Sequence, residues 1–175
     1  MPFRLSLESD IPVIMKIINQ AQSQLKKAGI DQWQNQYPNA SSILNDIQLG
    51  ESYVVLIEDR IVGTFALSFC NESTYDTIYA GNWLSIQTYA VIHRIAVDDQ
   101  YKGHGLSTKI INEVSAWCIN KNINSIKIDT HEDNHIMRNV LVKNGFTYCG
   151  IIYLRDGNRR VAYEKLVTHA NFLKK

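Results

Sequence analysis

The chain has 175 residues and a mass of 20.0 kDa, enough for one ordinary domain or a pair of very small ones. At 45% hydrophobic and 20% charged it has the balance of a globular chain with a core, which excludes disorder, collagen and coiled coil. With 18 Lys+Arg against 17 Asp+Glu the net charge is +1, and no Lys/Arg run exceeds two residues, so a nucleic-acid partner is not expected.

Residues Met1 to Asp10 carry Arg4, Glu8 and Asp10 without an apolar run, unlike a signal peptide. No stretch approaches the ~18 consecutive apolar residues of a membrane span. Cys70, Cys118 and Cys149 are odd in number, widely spaced and free of any Cys-x-x-Cys pairing, which reads as reduced, mostly buried thiols. The expectation is a single cytoplasmic domain over residues 1–175.

In chain order, Phe3-Arg4-Leu5 reads as a short strand, and Ser9 or Asp10 as the cap of a helix with Pro12 in its first turn. Ile11, Ile14, Ile18, Ala21 and Leu25 follow at helical spacing, and Gly29 marks the stop. Residues 30–38 carry Trp33 and Tyr37, and a second helix is predicted from Ser42 to Leu49. Tyr53–Ile57 and Ile61–Phe69 read as strands joined through Glu58-Asp59-Arg60. Residues 70–88 have no clear period but hold Tyr75, Tyr79 and Trp83. A strand over Tyr89–Val97 then leads through a glycine-bearing loop to a helix with Leu106, Ile110, Val114 and Trp117 on one side. Ile126-Lys127-Ile128 reads as a strand, His135–Lys143 as a helix ended by Asn144-Gly145, and Thr147–Leu154 and Arg159–Leu166 as strands turned at Asp156-Gly157-Asn158. This order predicts an α/β (α+β) domain with a mixed sheet.

The stretch His93-Arg94-Ile95-Ala96-Val97-Asp98-Asp99-Gln100-Tyr101-Lys102-Gly103-His104-Gly105-Leu106-Ser107 runs from a strand through two glycines into an amphipathic helix. Orphan N–H groups and the positive end of the helix dipole make such a junction an anion site, and glycines let the backbone approach a diphosphate. A flexible strand-to-helix turn is the ordinary alternative. The P-loop pattern is missing, and the third glycine of a dinucleotide fingerprint would fall on Thr108.

Gln100-x-x-Gly103-x-Gly105 after Ile95-Ala96-Val97 resembles the acetyl-CoA signature of the GNAT family of N-acetyltransferases. Asn134, Met137 and Lys143-Asn144-Gly145-Phe146 resemble that family's second motif, and the element order is similar throughout. The resemblance implies a mostly antiparallel mixed sheet, helices on both faces, and central strands that splay. It implies a diphosphate held by the backbone from Lys102 through Gly103, His104, Gly105 and Leu106 to Ser107. It also implies a pantetheine arm along Ile95, Ala96 and Val97, and an arm-binding Asn134. Acetyl-CoA is then the co-substrate, and a primary amine of a small molecule or peptide the acceptor. Similar proteins are frequently homodimers, so a homodimer is among the implied assemblies.

One departure is informative. The family often carries a tyrosine acid seven residues after the asparagine, and that position here is Leu141. Tyr148 and Tyr153 are substitute acids by nearness in sequence alone, with ordinary strand aromatics as the alternative. His93, on the central strand, is the first candidate for the base, because imidazoles suit proton transfer near neutral pH. A histidine fixed structurally in the sheet is the rival reading. The resemblance implies an acceptor pocket built from the early helices and the loop before the central strand, segments that here carry Trp33, Tyr37, Tyr75, Tyr79 and Trp83. Of these, Trp33, Tyr37, Tyr79 and Trp83 are the candidate acceptor residues, against rim packing. Leu141 also motivates a different class, a non-catalytic acyl-CoA-binding module of the same fold.

His131-Glu132-Asp133-Asn134-His135 formally matches the zinc-hydrolase pattern His-Glu-x-x-His. That motif needs one helix to project both imidazoles to one metal. Here a strand ends just before it and Asp133-Asn134 reads as a helix cap, so no metal site is expected.

Overall fold

The computed structural model describes residues 2–70 and 72–168. In order they form strand β1 (Phe3–Leu5), helices α1 (Ile11–Lys27) and α2 (Ala40–Gln48), and strands β2 (Ser52–Ile57), β3 (Arg60–Ser68) and β4 (Ala90–Val97). Helix α3 (Leu106–Asn120), strand β5 (Ser125–Thr130), helix α4 (His135–Lys143) and strands β6 (Thr147–Tyr153) and β7 (Arg159–Leu166) follow. The strands make a seven-stranded, mostly antiparallel sheet, the mixed α/β class expected. No helix among the described residues is long and apolar enough to cross a membrane.

The chain divides into two compact units, Met1–Leu67 with His93–Ile110, and Ser68–Ile92 with Ile111–Lys175. Residues 93–97 of β4 belong to the first and residues 90–92 to the second.

In the first unit β1, β2 and β3 lie side by side and antiparallel, with Arg4 opposite Val54 and Val54 opposite Thr64. The β2–β3 turn is tight because Glu58 and Asp59 both take left-handed φ values, +48° and +61°, as a two-residue hairpin of matching twist requires. Helix α1 buries Ile14, Ile17 and Ile18 completely against Ile43, Val54 and Ala96. Each such side chain contributes roughly 1.5–3 kcal/mol of hydrophobic stabilisation. Gly29, at φ +71°, closes the helix as predicted, and Ile30 N donates back to Leu25 O at 2.9 Å.

Helix α1 starts behind one of its two expected caps, whereas α2 starts earlier than the sequence reading has it. Asp10 occupies the cap position of α1, but its carboxylate accepts from Leu7 N at 2.7 Å and from both ends of the Arg4 guanidinium instead. Helix α2 begins two residues before Ser42, because Asn39 is the true cap: Asn39 Oδ1 accepts from Ser42 N, and Ser42 Oγ accepts from Asn39 N.

In the second unit β4 runs parallel to β5 through Ala90 opposite Ile126 and Val91 opposite Lys127. Strand β5 pairs antiparallel with β7, and β7 with β6, whose register shifts between Tyr148 and Gly150. The segment from 72 to 89 has one 3-10 turn, Ser73–Tyr75, and is otherwise irregular. Tyr75 and Tyr89 nevertheless join Val91, Ile152 and Ala162 in a core cluster, with Trp83 packed against it. Farther along, Tyr79 exchanges two 2.8 Å backbone hydrogen bonds with Ile151 of β6. Glycines make that approach feasible: a Cβ on Gly81 would lie 2.0 Å from Cys149 O, and one on Gly150 would lie 2.5 Å from Tyr79 O.

Candidate active site

The glycine loop follows β4 directly. Asp98 caps a single 3-10 turn, Asp99–Tyr101, by accepting from Gln100 N at 3.0 Å. Gly103 and Gly105 both have left-handed φ values, +81° and +72°, and a Cβ on either would meet nothing within 4 Å. The loop thus turns where only glycine is unstrained, and its outer side is open. Gly103, His104 and Gly105 are exposed, whereas Leu106 is buried and anchors the first turn of α3. N–H groups at the start of a helix have no intrahelical acceptor, so the exposed stretch Gly103–Gly105 leading into α3 presents donors to an anion.

The loop's one lysine is engaged. Lys102 Nζ sits 2.5 Å from Asp99 Oδ1, which also accepts from Gln24 of α1 at 3.2 Å. Gln20 Oε1 accepts from Asp99 N at 3.1 Å, so α1 steadies the loop through two amides. His104 Nδ1 lies 3.0 Å from Lys102 O and its ring is exposed. A shallow depression of about 600 Å³ runs along the polar side of α1, past Lys16, Gln20 and Lys27 to Asp99. None of the candidate acceptor aromatics lines it.

Strand β4 is buried at both ends, and its buried run is broken at His93, Arg94 and Ile95, three successive half-buried residues. The break is a backbone event: Arg94 has φ +53°. For a non-glycine residue that conformation costs roughly 1–3 kcal/mol and needs support from its surroundings. Arg94 Nη2 donates to Asp46 Oδ1 of α2 at 2.7 Å, and Nη1 donates to the Tyr37 hydroxyl. Burial raises the Asp46 pKa and the Arg94 charge opposes that rise; His93 also bears on Asp46 electrostatically. Asp46 Oδ2 and Arg94 Nε have no hydrogen-bond partner among the described residues, although Oδ2 is 2.7 Å from Nη2. Tyr37 precedes a cis peptide to Pro38, and Trp33 is half-buried against the α1 core.

The second unit holds a buried polar cluster. Tyr75 OH donates to Asp129 Oδ1 at 2.7 Å, and Arg160 Nε stands 3.9 Å from Asp129 Oδ2. Glu164 is fully buried and accepts from Ser125 Oγ at 2.6 Å, Leu84 N at 2.5 Å and Ser85 Oγ at 2.9 Å. Lys127 lies directly opposite Glu164 in the sheet, with its ammonium over the rings of Trp83 and Tyr89. Trp83 Nε1 donates to Tyr75 O at 2.9 Å. Together these contacts fix the irregular 72–89 segment.

The sequence candidates separate accordingly. Trp33 and Tyr37 belong to the first unit, Tyr79 and Trp83 to the second. Trp83 has its face covered by an internal cation, and Tyr79 packs edge-on against Tyr153 with centroids 5.4 Å apart. Tyr148 stands edge-on to Tyr163, and both Tyr148 and Tyr153 are about half exposed on β6. Asn134 Oδ1 caps α4 by accepting from Met137 N at 3.1 Å, and Leu141 is completely buried. His131 lies just past β5 with its Nδ1 accepting from Asp133 N, while His135 opens α4, so one helix does not carry both. Burial pushes the Cys118 thiol up to about 12 and raises that of Cys149. The buried polar contacts of Arg94, Asp46, Lys127, Asp129 and Glu164 have no local signature in the sequence. Lys127 and Glu164 each interrupt an apolar strand as solvent-facing residues do, and only the segment covering them makes them interior.

The chain belongs to the Acetyltransferase (GNAT) family, whose sequence profile matches residues 18–146. It is similar to a GNAT-family acetyltransferase from Streptococcus agalactiae, with 34% identity, TM-score 0.86 and 95% of each chain covered. It shares its fold with a GNAT-family acetyltransferase from Listeria monocytogenes (22% identity, TM-score 0.72, 95% of this chain and 94% of that one). The same holds for the PaiA N-acetyltransferase from Thermoplasma acidophilum, solved in complex with coenzyme A (15% identity, TM-score 0.70, 94% and 98% covered). No curated protein matches the sequence.

Proposed function

We propose that the chain transfers an acetyl group from acetyl-CoA to a primary amine of a small molecule or peptide, by direct attack in a ternary complex. The observation that carries this reading is the open glycine loop, with Gly103 and Gly105 in conformations and surroundings that leave the backbone accessible at the start of α3. Backbone N–H groups from Lys102 to Ser107 would hold the diphosphate, and Ile95 to Val97 would meet the pantetheine arm. Lys102, already paired with Asp99, would contribute less charge than its position in the sequence suggests.

The chemistry asks for a neutral amine. Its nitrogen attacks the thioester carbonyl, the C–S bond breaks, and the proton lost from nitrogen balances the departing thiolate. His93 is the residue to take that proton, being a half-buried imidazole on β4. A backbone N–H of the same strand would stabilise the oxyanion, commonly the largest catalytic contribution in acyl transfer. With Leu141 sealed in the core, α4 supplies no tyrosine acid, and the thiolate takes its proton from solvent or another residue, or leaves as such. Exposed Tyr148 and Tyr153 are the remaining acid candidates.

The unpaired state of Cys70, Cys118 and Cys149 fits a reducing cytoplasmic setting, and the near-neutral charge fits a small or peptide acceptor rather than nucleic acid. The second reading is a non-catalytic acyl-CoA-binding module, favoured by Leu141. Acetyl-CoA consumption across a panel of amines, with coenzyme A binding measured separately, decides between them. Turnover on at least one amine is expected; tight binding without turnover on any would favour the module.

A further inference from the structure

We propose that Arg94 is a positioning residue: its guanidinium, gripped by Asp46 and Tyr37, locks the left-handed turn in the middle of β4 and so sets the peptide that leads into Ile95. This rests on the acetyl-transfer reading, which puts His93 and Ile95 on either side of that turn. Arginine has no intrinsic preference for φ +53°, unlike glycine or asparagine, so the conformation must be imposed from outside the backbone. The side chain supplies the means. Its two terminal nitrogens reach partners 48 and 57 residues away in sequence, one on α2 and one on the loop before it, and the side chain is only 14% exposed. Nε is left without a hydrogen-bond partner among the described residues, so the grip is made by the two terminal nitrogens. Stability does not account for such a pair, since apolar residues of similar volume usually serve a core at least as well. Tyr37 further ties the turn to a loop that carries candidate acceptor residues, so acceptor contact and the geometry of β4 share one side chain.

The test uses Arg94→Ala and, because that change strands Asp46 as a buried unpaired carboxylate, also the double variant Arg94→Met with Asp46→Leu. Steady-state kinetics are read beside backbone amide shifts of residues 93–96 in the ligand-free protein. In a folded variant kcat should fall about 100-fold while KM for acetyl-CoA stays within about threefold, and the shifts at 93–96 should move. A folded variant with kcat within about threefold of wild type overturns this role, as do unmoved shifts. A wild-type protein that turns over no amine overturns the acetyl-transfer reading itself. The two failures are distinguishable because the shifts are read without substrate.

Discussion

The ammonium of Lys127 lies 3.8 Å from the centroid of the Tyr89 ring, and the Trp83 centroid is 4.1 Å from the same nitrogen. Burial holds the Lys127 pKa below the ordinary lysine value, while Glu164, Cys149 and Asp76 act in the opposite direction. The unfolded chain therefore takes up this proton more readily than the folded one. Folding carries the full penalty below the lowered folded value and sheds it as pH rises towards 10.5. Relative to Lys127→Met, wild-type stability should thus increase with pH across that window and be flat beneath it. Urea midpoints of both proteins between neutral pH and the lysine range check this; a constant difference throughout would mean that burial does not govern this lysine.

Glu164 holds the 84–85 turn from a position 79 to 80 residues away. Glu164→Ala orphans the donors of Ser125, Leu84 and Ser85 and should cost about 3–5 kcal/mol, visible in the denaturant midpoint. Limited proteolysis should then cut first between 84 and 88. A loss below about 1 kcal/mol would indicate that water replaces the carboxylate without difficulty.

At Gly103 two substitutions separate backbone strain from charge. Gly103→Ala meets no neighbour and should lower stability by only about 1–2 kcal/mol through its positive φ. Gly103→Asp adds a negative side chain on the open side of the loop and should abolish coenzyme A binding in a titration calorimeter. Unchanged affinity in the aspartate variant would remove the loop from the cofactor site.

His93→Ala should lower kcat at saturating acetyl-CoA and flatten its dependence on pH, because the group that accepts the amine proton is gone. If His93 only packs in the sheet, the profile keeps its shape while the melting temperature falls.

How much of the fold and site is legible in the sequence divides by sequence distance. The helix stops at Gly29 and Gly145, the Glu58-Asp59 hairpin and the loop into α3 are local events, and local residues announce them. Ser42 misled because it belongs to a reciprocal cap whose other half, Asn39, stands three residues earlier. The segment from 72 to 89 has no period because contacts with Asp129, Ile151 and Glu164 set its course. Arg94 gave no sign either, as its backbone obeys side-chain partners on α2 and the preceding loop rather than its own preference.

The bridge from Tyr79 to Ile151 has a consequence for solution behaviour. In the second unit β6 is the outermost strand, paired with β7 on one side only. Such a strand is a template for adding a foreign one, the first step towards edge-to-edge aggregation. Tyr79 occupies the outward N–H and C=O of Ile151, the two groups a visiting strand would need in the middle of β6. The irregular segment therefore serves as the chain's own blocking strand, and Gly81 and Gly150 are what let it lie close enough to do so.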